Sequence, residues 1–247
     1  MQGLVTLDFG NSNPHGGVFQ KLNGVWKLIK VVSLEELSST LKTLEMDPHN
    51  TSMVLSEVKS REDKIQKFME EGYLLTRVKE YWRGKKFAGM PVNYSTTLGE
   101  DRLIEAYYSF KNDKRPTLII DAGTFVTLDV VNEAGFQGGH IIPGVGVYHK
   151  MFTQGEQLKD VPWLNTSLGE LPKETPHAIS SGYSAFFLLA QKILKTHHIE
   201  KILLTGGGMD SWKSFFHSTG LGHIVEEHPH LIHWALHNWW TKQIEQL

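Results

Sequence analysis

Gly3-Leu4-Val5-Thr6-Leu7-Asp8-Phe9-Gly10-Asn11-Ser12 and Thr117-Leu118-Ile119-Ile120-Asp121-Ala122-Gly123-Thr124-Phe125-Val126-Thr127 are built alike. Each is an apolar run ending in an aspartate, a glycine and a hydroxyl residue, and each leads into a further apolar hairpin. A glycine lets backbone approach a phosphate, neighbouring N–H groups and hydroxyls donate to it, and an acidic residue holds the metal that offsets its charge. One such copy would be an ordinary buried strand ending in an Asx-type turn. Two copies point to related half-molecules that bind phosphate.

The order around each copy repeats. After Asp8, Gly16–Gln20 reads as a strand, Asn23-Gly24 as a hairpin turn and Val25–Val32 as its returning partner. Leu34, Leu37, Leu41 and Leu44 recur at helical spacing, and Ser52–Ser56 is a short buried strand. Ser60 resembles an N-cap for a helix that carries Ile65, Phe68 and Met69 and closes at Gly72. Residues 83–97 read as a surface loop, and a helix from Leu98 turns Leu103, Ala106, Tyr107 and Phe110 inward. In the second half come strand 117–121, strand 126–131, a turn at Asn132–Gly135 and a strand into Gly138–Gly144. A helix near 145–155, a looser segment at 156–175, a long helix from Pro176 and a last buried strand at Lys201–Thr205 follow. A C-terminal helix holds Leu231, Trp234, Ala235, Leu236 and Trp239. The repeated βββαβα order predicts two α/β domains, 1–113 and 114–247, with a cleft between them.

Bulk properties narrow the function. A chain of 247 residues, 40% hydrophobic and 21% charged, has material for a substantial core. A net charge of −2 gives no electrostatic reason to expect a nucleic-acid or acidic-membrane partner. Cysteine is absent, which removes disulfides and thiolate metal sites and fits a reducing compartment. The chain opens into a strand without a basic, apolar leader, and its longest apolar stretch, Ala185–Ala190, is too short to span a bilayer. The expectation is a cytoplasmic protein.

Several short patterns bear on chemistry. Asp101 and Arg102, in Gly99-Glu100-Asp101-Arg102, stand at a predicted helix start. An aspartate there is either a cap or a base for a substrate hydroxyl, with the arginine holding a carboxylate or phosphoryl charge. Gly138-Gly139-His140-Ile141-Ile142-Pro143-Gly144 offers bare backbone to a ligand, and Thr205-Gly206-Gly207-Gly208 offers a floor for an adenosine. His233 and His237 stand at i, i+4, but no H-E-x-x-H pattern completes them, so packing or surface roles are expected.

Together these motifs resemble the type III pantothenate kinases, whose fold is shared with acetate and sugar kinases, actin and heat-shock ATPases. Asp8-Phe9-Gly10-Asn11-Ser12-Asn13 resembles the family's D-x-G-N-[TS]-N motif, and Gly99–Arg102 its G-x-D-R. Asp121–Asp129 resembles D-x-G-T-x-x-T-x-D, and Gly138–Gly144 resembles G-G-x-I-x-P-G. Thr175 through Gly182 resembles T-x-x-A-I-x-S-G, and Thr205-Gly206-Gly207 ends the set. The resemblance implies two ribonuclease H-like, actin-like ATPase domains and ATP-dependent phosphorylation of pantothenate, the first step of coenzyme A formation. It implies Asp101 as general base and Gly99, Glu100, Asp101, Arg102 and Thr175 as the pantothenate contacts. Tyr94 takes the place of the family's substrate tyrosine, although it stands closer to G-x-D-R. Asp8, Phe9, Gly10, Asn11, Ser12, Asn13 and Thr124 would hold ATP, with Asp8 also serving Mg2+ and Asp121 a potassium or ammonium ion. A homodimer is implied as well. A catalytically silent regulatory relative, or a kinase of this fold acting on another small hydroxylated substrate, are the alternatives.

Overall fold

The computed structural model describes residues 2–10, 14–58, 62–156, 158, 161–164 and 171–244. In chain order the first half contains β1 (Gly3–Phe9), β2 (His15–Leu22), β3 (Val25–Ser33), α1 (Leu34–Thr43), β4 (Thr51–Glu57), α2 (Glu62–Glu70) and β5 (Leu74–Arg77). The short strands β6 (Lys86–Phe87) and β7 (Met90–Pro91) precede α3 (Glu100–Asn112). The second half contains β8 (Thr117–Ala122), β9 (Phe125–Asn132), β10 (Gly135–Pro143), α4 (Val145–Phe152), α5 (Thr175–Gly182) and α6 (Ser184–Thr196). It continues with β11 (Lys201–Thr205), α7 (Met209–Ser218), β12 (Val225–Glu227) and α8 (Leu231–Ile244).

The chain divides into two compact units. One gathers Met1–Asp113, Ala134–Phe136 and His230–Leu247, and the other Lys114–Glu133 and Gln137–Pro229. The expected second domain, 114–247, therefore differs at its end: α8 packs on β1, β4 and α3 of the first unit. Its apolar residues Leu231, Ala235, Leu236 and Trp239 are fully buried.

Each unit has one five-stranded sheet, ordered β3-β2-β1-β4-β5 in the first and β10-β9-β8-β11-β12 in the second. Counted within its half, each sheet reads 3-2-1-4-5, the ribonuclease H-like arrangement repeated. In the first unit β1 runs antiparallel to β2 and parallel to β4. It is central and buried on both faces, which is why it reads as a nearly continuous apolar run. Val5, Leu7 and Phe9 join Leu37 and Leu41 of α1 and Ile65 and Phe68 of α2 in one core cluster. Thr6 and Asp8 alternate with them and lie on the other face. Ser33 caps α1, its Oγ accepting from the Glu36 amide at 3.4 Å and donating to Glu36 Oε2 at 3.2 Å. In the second unit Leu118, Ile120 and Leu204 pack against Ala190 and Ile193 of α6 and Trp212 and Phe216 of α7.

Several elements differ from expectation. The edge strands β5 and β12 were not read as strands, because they are short and Leu74 is 77% exposed, so neither carries an apolar pattern. Helix α7 follows the triple glycine directly, signalled by Trp212 and Phe216 one turn apart. The long helix from Pro176 is two segments, α5 and α6, meeting at Tyr183. Of the apolar residues on α2, Ile65 and Phe68 are buried while Met69 is 55% exposed, and the Ser60 cap lies outside the described residues.

Residues 83–97 are not simply a surface loop. Phe87 and Met90 of the β6–β7 hairpin are fully buried. The Phe87 ring lies 5.5 Å from Tyr107 of α3 and 5.8 Å from Trp239 of α8. Phe87→Ala should destabilise the chain by about 3–5 kcal/mol, as a large cavity does. Urea unfolding checks this; a change near zero would detach the hairpin from the core.

Candidate functional site

In the first unit the site residues collect where β1 and β4 end. Parallel pairing sets Asp8 beside Ser56 and Phe9 beside Glu57, and the Val58 amide donates to Phe9 O at 3.1 Å. The Asp8 side chain is 14% exposed, with Oδ2 lying 3.6 Å from His15 Nε2. Among the described residues, a Cβ on Gly10 would meet the Asp8 carboxylate at 3.5 and 3.9 Å, ordinary contact distances. Asn11, Ser12 and Asn13 lie outside the described residues.

The G-x-D-R residues form the start of α3. Gly99 is the N-cap in extended backbone, and a Cβ there would strike Asp101 Oδ1. Asp101 Oδ1 accepts from the Arg102 amide at 2.8 Å. Burial pushes the Asp101 carboxyl above its ordinary range, against the pull of the Arg102 amide and guanidinium. Glu100 turns toward the sheet and its Oε2 accepts from the Glu57 amide at 3.2 Å, which ties the helix start to the end of β4. Glu57 itself is held by Lys79 Nζ at 2.9 Å and Arg77 Nη1 at 3.3 Å.

Arg102 is buried, its guanidinium over the Tyr94 ring at 5.3 Å and the Phe136 ring at 5.8 Å. The structure thus brings Tyr94 to Arg102, as a partly exposed ring resting edge-on to Phe136. Phe136 was missed in the sequence. The only local signal is its place after the Asn132–Gly135 turn, where Gly135 has φ +96° and a Cβ would run into Pro91 O.

In the second unit Asp121 occupies the matching place at the end of β8, paired with Thr205 of β11 and Thr127 of β9. Gly206, at φ +87°, lies against it: a Cβ would stand 2.5 Å from Asp121 Oδ1 and 2.7 Å from Ala122 N. The Gly208 amide donates to Ala122 O at 2.8 Å. Thr124 is exposed, and its carbonyl accepts from Gly144 N at 2.9 Å, joining the Asp121 turn to the end of β10. Thr175 opens α5 and is exposed. Tyr183 Oη donates to Pro143 O at 3.3 Å, linking the α5–α6 junction to the same strand end.

His233 and His237 pack inward. His233 is fully buried, and the His237 ring stacks on Phe19 at 4.8 Å, where burial takes it down to about 4. Among the described residues no group of three or more His, Cys, Asp and Glu side chains stands ready to hold a metal ion. Among them, too, no helix is long and apolar enough to cross a membrane.

Burial raises the Glu100 carboxyl from 4.5 to about 7, and the Glu57 and Asp101 charges add to the rise. Between those values the folded chain keeps a proton that the unfolded chain releases, so stability falls as pH rises from 4.5 through 7. Glu100→Gln should remove that loss. The variant should gain on the order of 1–2 kcal/mol at pH 8, an amount reduced by partial solvent screening, and match the unsubstituted chain near pH 4.5. Urea midpoints across this range measure it.

Comparison with known proteins now bears on this geometry. The type III pantothenate kinase family model matches residues 4–195. A type III pantothenate kinase of Sulfurihydrogenibium is 27% identical over 246 residues, covering 91% of this chain and 95% of that protein. One from Campylobacter jejuni is 27% identical over 147 residues, covering 55% of this chain and 66% of its own length. A solved Campylobacter jejuni protein, whose description names the Baf family of transcriptional activators, superposes with a TM-score of 0.63 at 19% identity. That superposition covers 98% of this chain and all of the other, and it speaks for the fold alone. With the match spanning well over half of its residues, the chain belongs to the type III pantothenate kinase family.

Proposed function

We propose that this kinase transfers the γ-phosphoryl group of ATP to the primary hydroxyl of pantothenate, giving 4'-phosphopantothenate at the head of coenzyme A formation in the cytoplasm. The observation that carries the reading is Asp101. It is a carboxylate with a raised pKa at a helix start, beside the buried Arg102 and tied through Glu100 to the strand end next to Asp8.

Phosphoryl transfer needs little covalent help; it needs a placed nucleophile and matched charge. Asp101 accepts the hydroxyl proton as general base, and its elevated affinity for protons suits that task. Arg102, oriented by Tyr94 and Phe136, holds the pantothenate carboxylate, with Gly99, Glu100 and Thr175 completing the substrate contacts. Gly99 leaves room for Asp101 Oδ1, which a side chain at that position would strike.

Asp8, a carboxylate at the end of β1 beside the small Gly10, fits a nucleotide-bound magnesium ion, which is commonly held by one or two carboxylates together with substrate phosphates. When bound, that ion neutralises phosphate charge. Phe9 through Asn13 and Thr124 would serve the phosphates. Asp121, with Gly206 set close against its carboxylate, suits a monovalent cation, potassium or ammonium. The family resemblance also favours a homodimer.

Coupled ADP release tests the reading. It should require pantothenate and fall when sodium replaces potassium; release driven by another hydroxylated substrate, or none at all, would point to a different kinase or a silent relative. Asp101→Asn should cut turnover at least about a hundredfold, as loss of a general base does. A variant turning over at the unsubstituted rate would remove Asp101 from that role.

A further inference from the structure

Each of the repeated aspartates has a hydroxyl for a neighbour in its sheet. Parallel register sets Ser56 of β4 beside Asp8 of β1, on the face opposite Leu7, Met53 and Leu55 of the core cluster. In the second unit Thr127 of β9 and Thr205 of β11 flank Asp121 of β8, on the face opposite Ile120, Leu128 and Leu204.

Ser56 is fully buried, and its Oγ has no hydrogen-bond partner among the described residues. The Thr127 Oγ1 is buried in the same state. The contrast with Thr6, which shares the Asp8 face of β1, is direct: its Oγ1 lies 2.8 Å from Nδ1 of His233, the α8 residue that also covers Gly17. A buried hydroxyl in a native fold is normally bonded, and leaving one unsatisfied costs the desolvation of that group. Alanine or valine would escape the cost. Both unsatisfied hydroxyls stand in register with an aspartate at a strand end, and this common place points to a partner shared with the carboxylate. A hydroxyl has one donor and two acceptor lone pairs, so it can accept from a metal-bound water or lend its oxygen to a larger cation. Magnesium keeps several waters when it binds through a carboxylate and phosphates.

Resting on the reading of Asp8 and Asp121 as the carboxylates for Mg·ATP and a monovalent cation, we propose that Ser56 and Thr127 are positioning residues. Ser56 orients the water of the magnesium ion served by Asp8, and Thr127 steadies the cation served by Asp121. Each unit thus accepts in its ligand-free fold a hydroxyl that is useful only when nucleotide and ions are bound, a local rule broken for the sake of the site.

The test pairs Ser56→Ala with Thr127→Val in the full chain, each removing a hydroxyl with little change of shape. Calorimetric titration gives the ATP Kd with magnesium present and with magnesium chelated. The melting midpoint of the Mg·ATP-bound chain, followed against potassium concentration, gives half-saturation by that ion. In Ser56→Ala the Mg·ATP Kd should rise about tenfold, the low end for groups that orient a metal's ligands, while metal-free ATP binding and half-saturating potassium stay put. In Thr127→Val half-saturating potassium should rise about tenfold, and the Mg·ATP Kd at saturating potassium should not change. Without ligands both variants should melt no lower than the unsubstituted chain, since each loses only an unsatisfied group. An unaltered Mg·ATP Kd, or an equal rise with and without magnesium, overturns the role of Ser56. An unaltered potassium response does the same for Thr127. A ligand-free midpoint that falls in step with lost affinity marks an ordinary structural hydroxyl and overturns the role of that residue. An unsubstituted chain without magnesium-dependent ATP binding, or without a potassium response, overturns the reading of Asp8 or of Asp121 itself, so the two kinds of failure are told apart.

Discussion

Burial of β1 on both faces is the constraint on which the first unit depends. A strand flanked by β2 and β4 and covered above and below has no exposed side, so a charge it carries can reach solvent only at its end. Asp8 stands at that end. Alternation then divides the strand, with Val5, Leu7 and Phe9 in the core under α1 and α2, and Thr6 and Asp8 on the opposite face. A slip of one residue would drive Asp8 into the apolar cluster and Leu7 out of it, so the hydrophobic core itself sets where the carboxylate points.

The second unit meets the same constraint with the same strand order, and Asp121 occupies the corresponding end of β8. The end of β8 depends on atoms that are absent from its surroundings. A Cβ on Gly139 would collide with Asp129, one on Gly144 with Gly123 O, and one on Gly206 with Asp121. On the first unit's side Gly99 spares Asp101 in the same way. The glycines of these motifs work less as hinges than as vacated volume, through which carboxylates and carbonyls lie close to one another.

That logic explains what could be read in the sequence. The central strands, the helices with strong apolar spacing and the doubled aspartate turns were all legible, because each advertises itself within ten residues or so. Asp8, Asp101 and Asp121 stand out as candidates for the same reason, each beside a glycine at a strand end or a helix start. The edge strands β5 and β12 could not, since a half-solvated strand of three or four residues carries no periodic signal. Phe136 beside Arg102 and His233 behind His15 were also hidden. Each reaches its place through tertiary packing across a long separation in the chain, and no local spacing records it. Phe87 was misread for a related reason, because a two-residue strand inside a basic loop resembles any solvated connection until its ring is found between Tyr107 and Trp239.

The return of α8 to the first unit has a consequence for biosynthesis. As the ribosome releases the polypeptide, β1 to β4 emerge ahead of the other unit, yet the helix that covers one side of their sheet follows that unit. The amino-terminal half must wait, with Thr6 and Gly17 uncovered, while the whole of the other unit is synthesised. Domains usually complete themselves in order of translation. Here the order is interleaved, and the half that starts first finishes last.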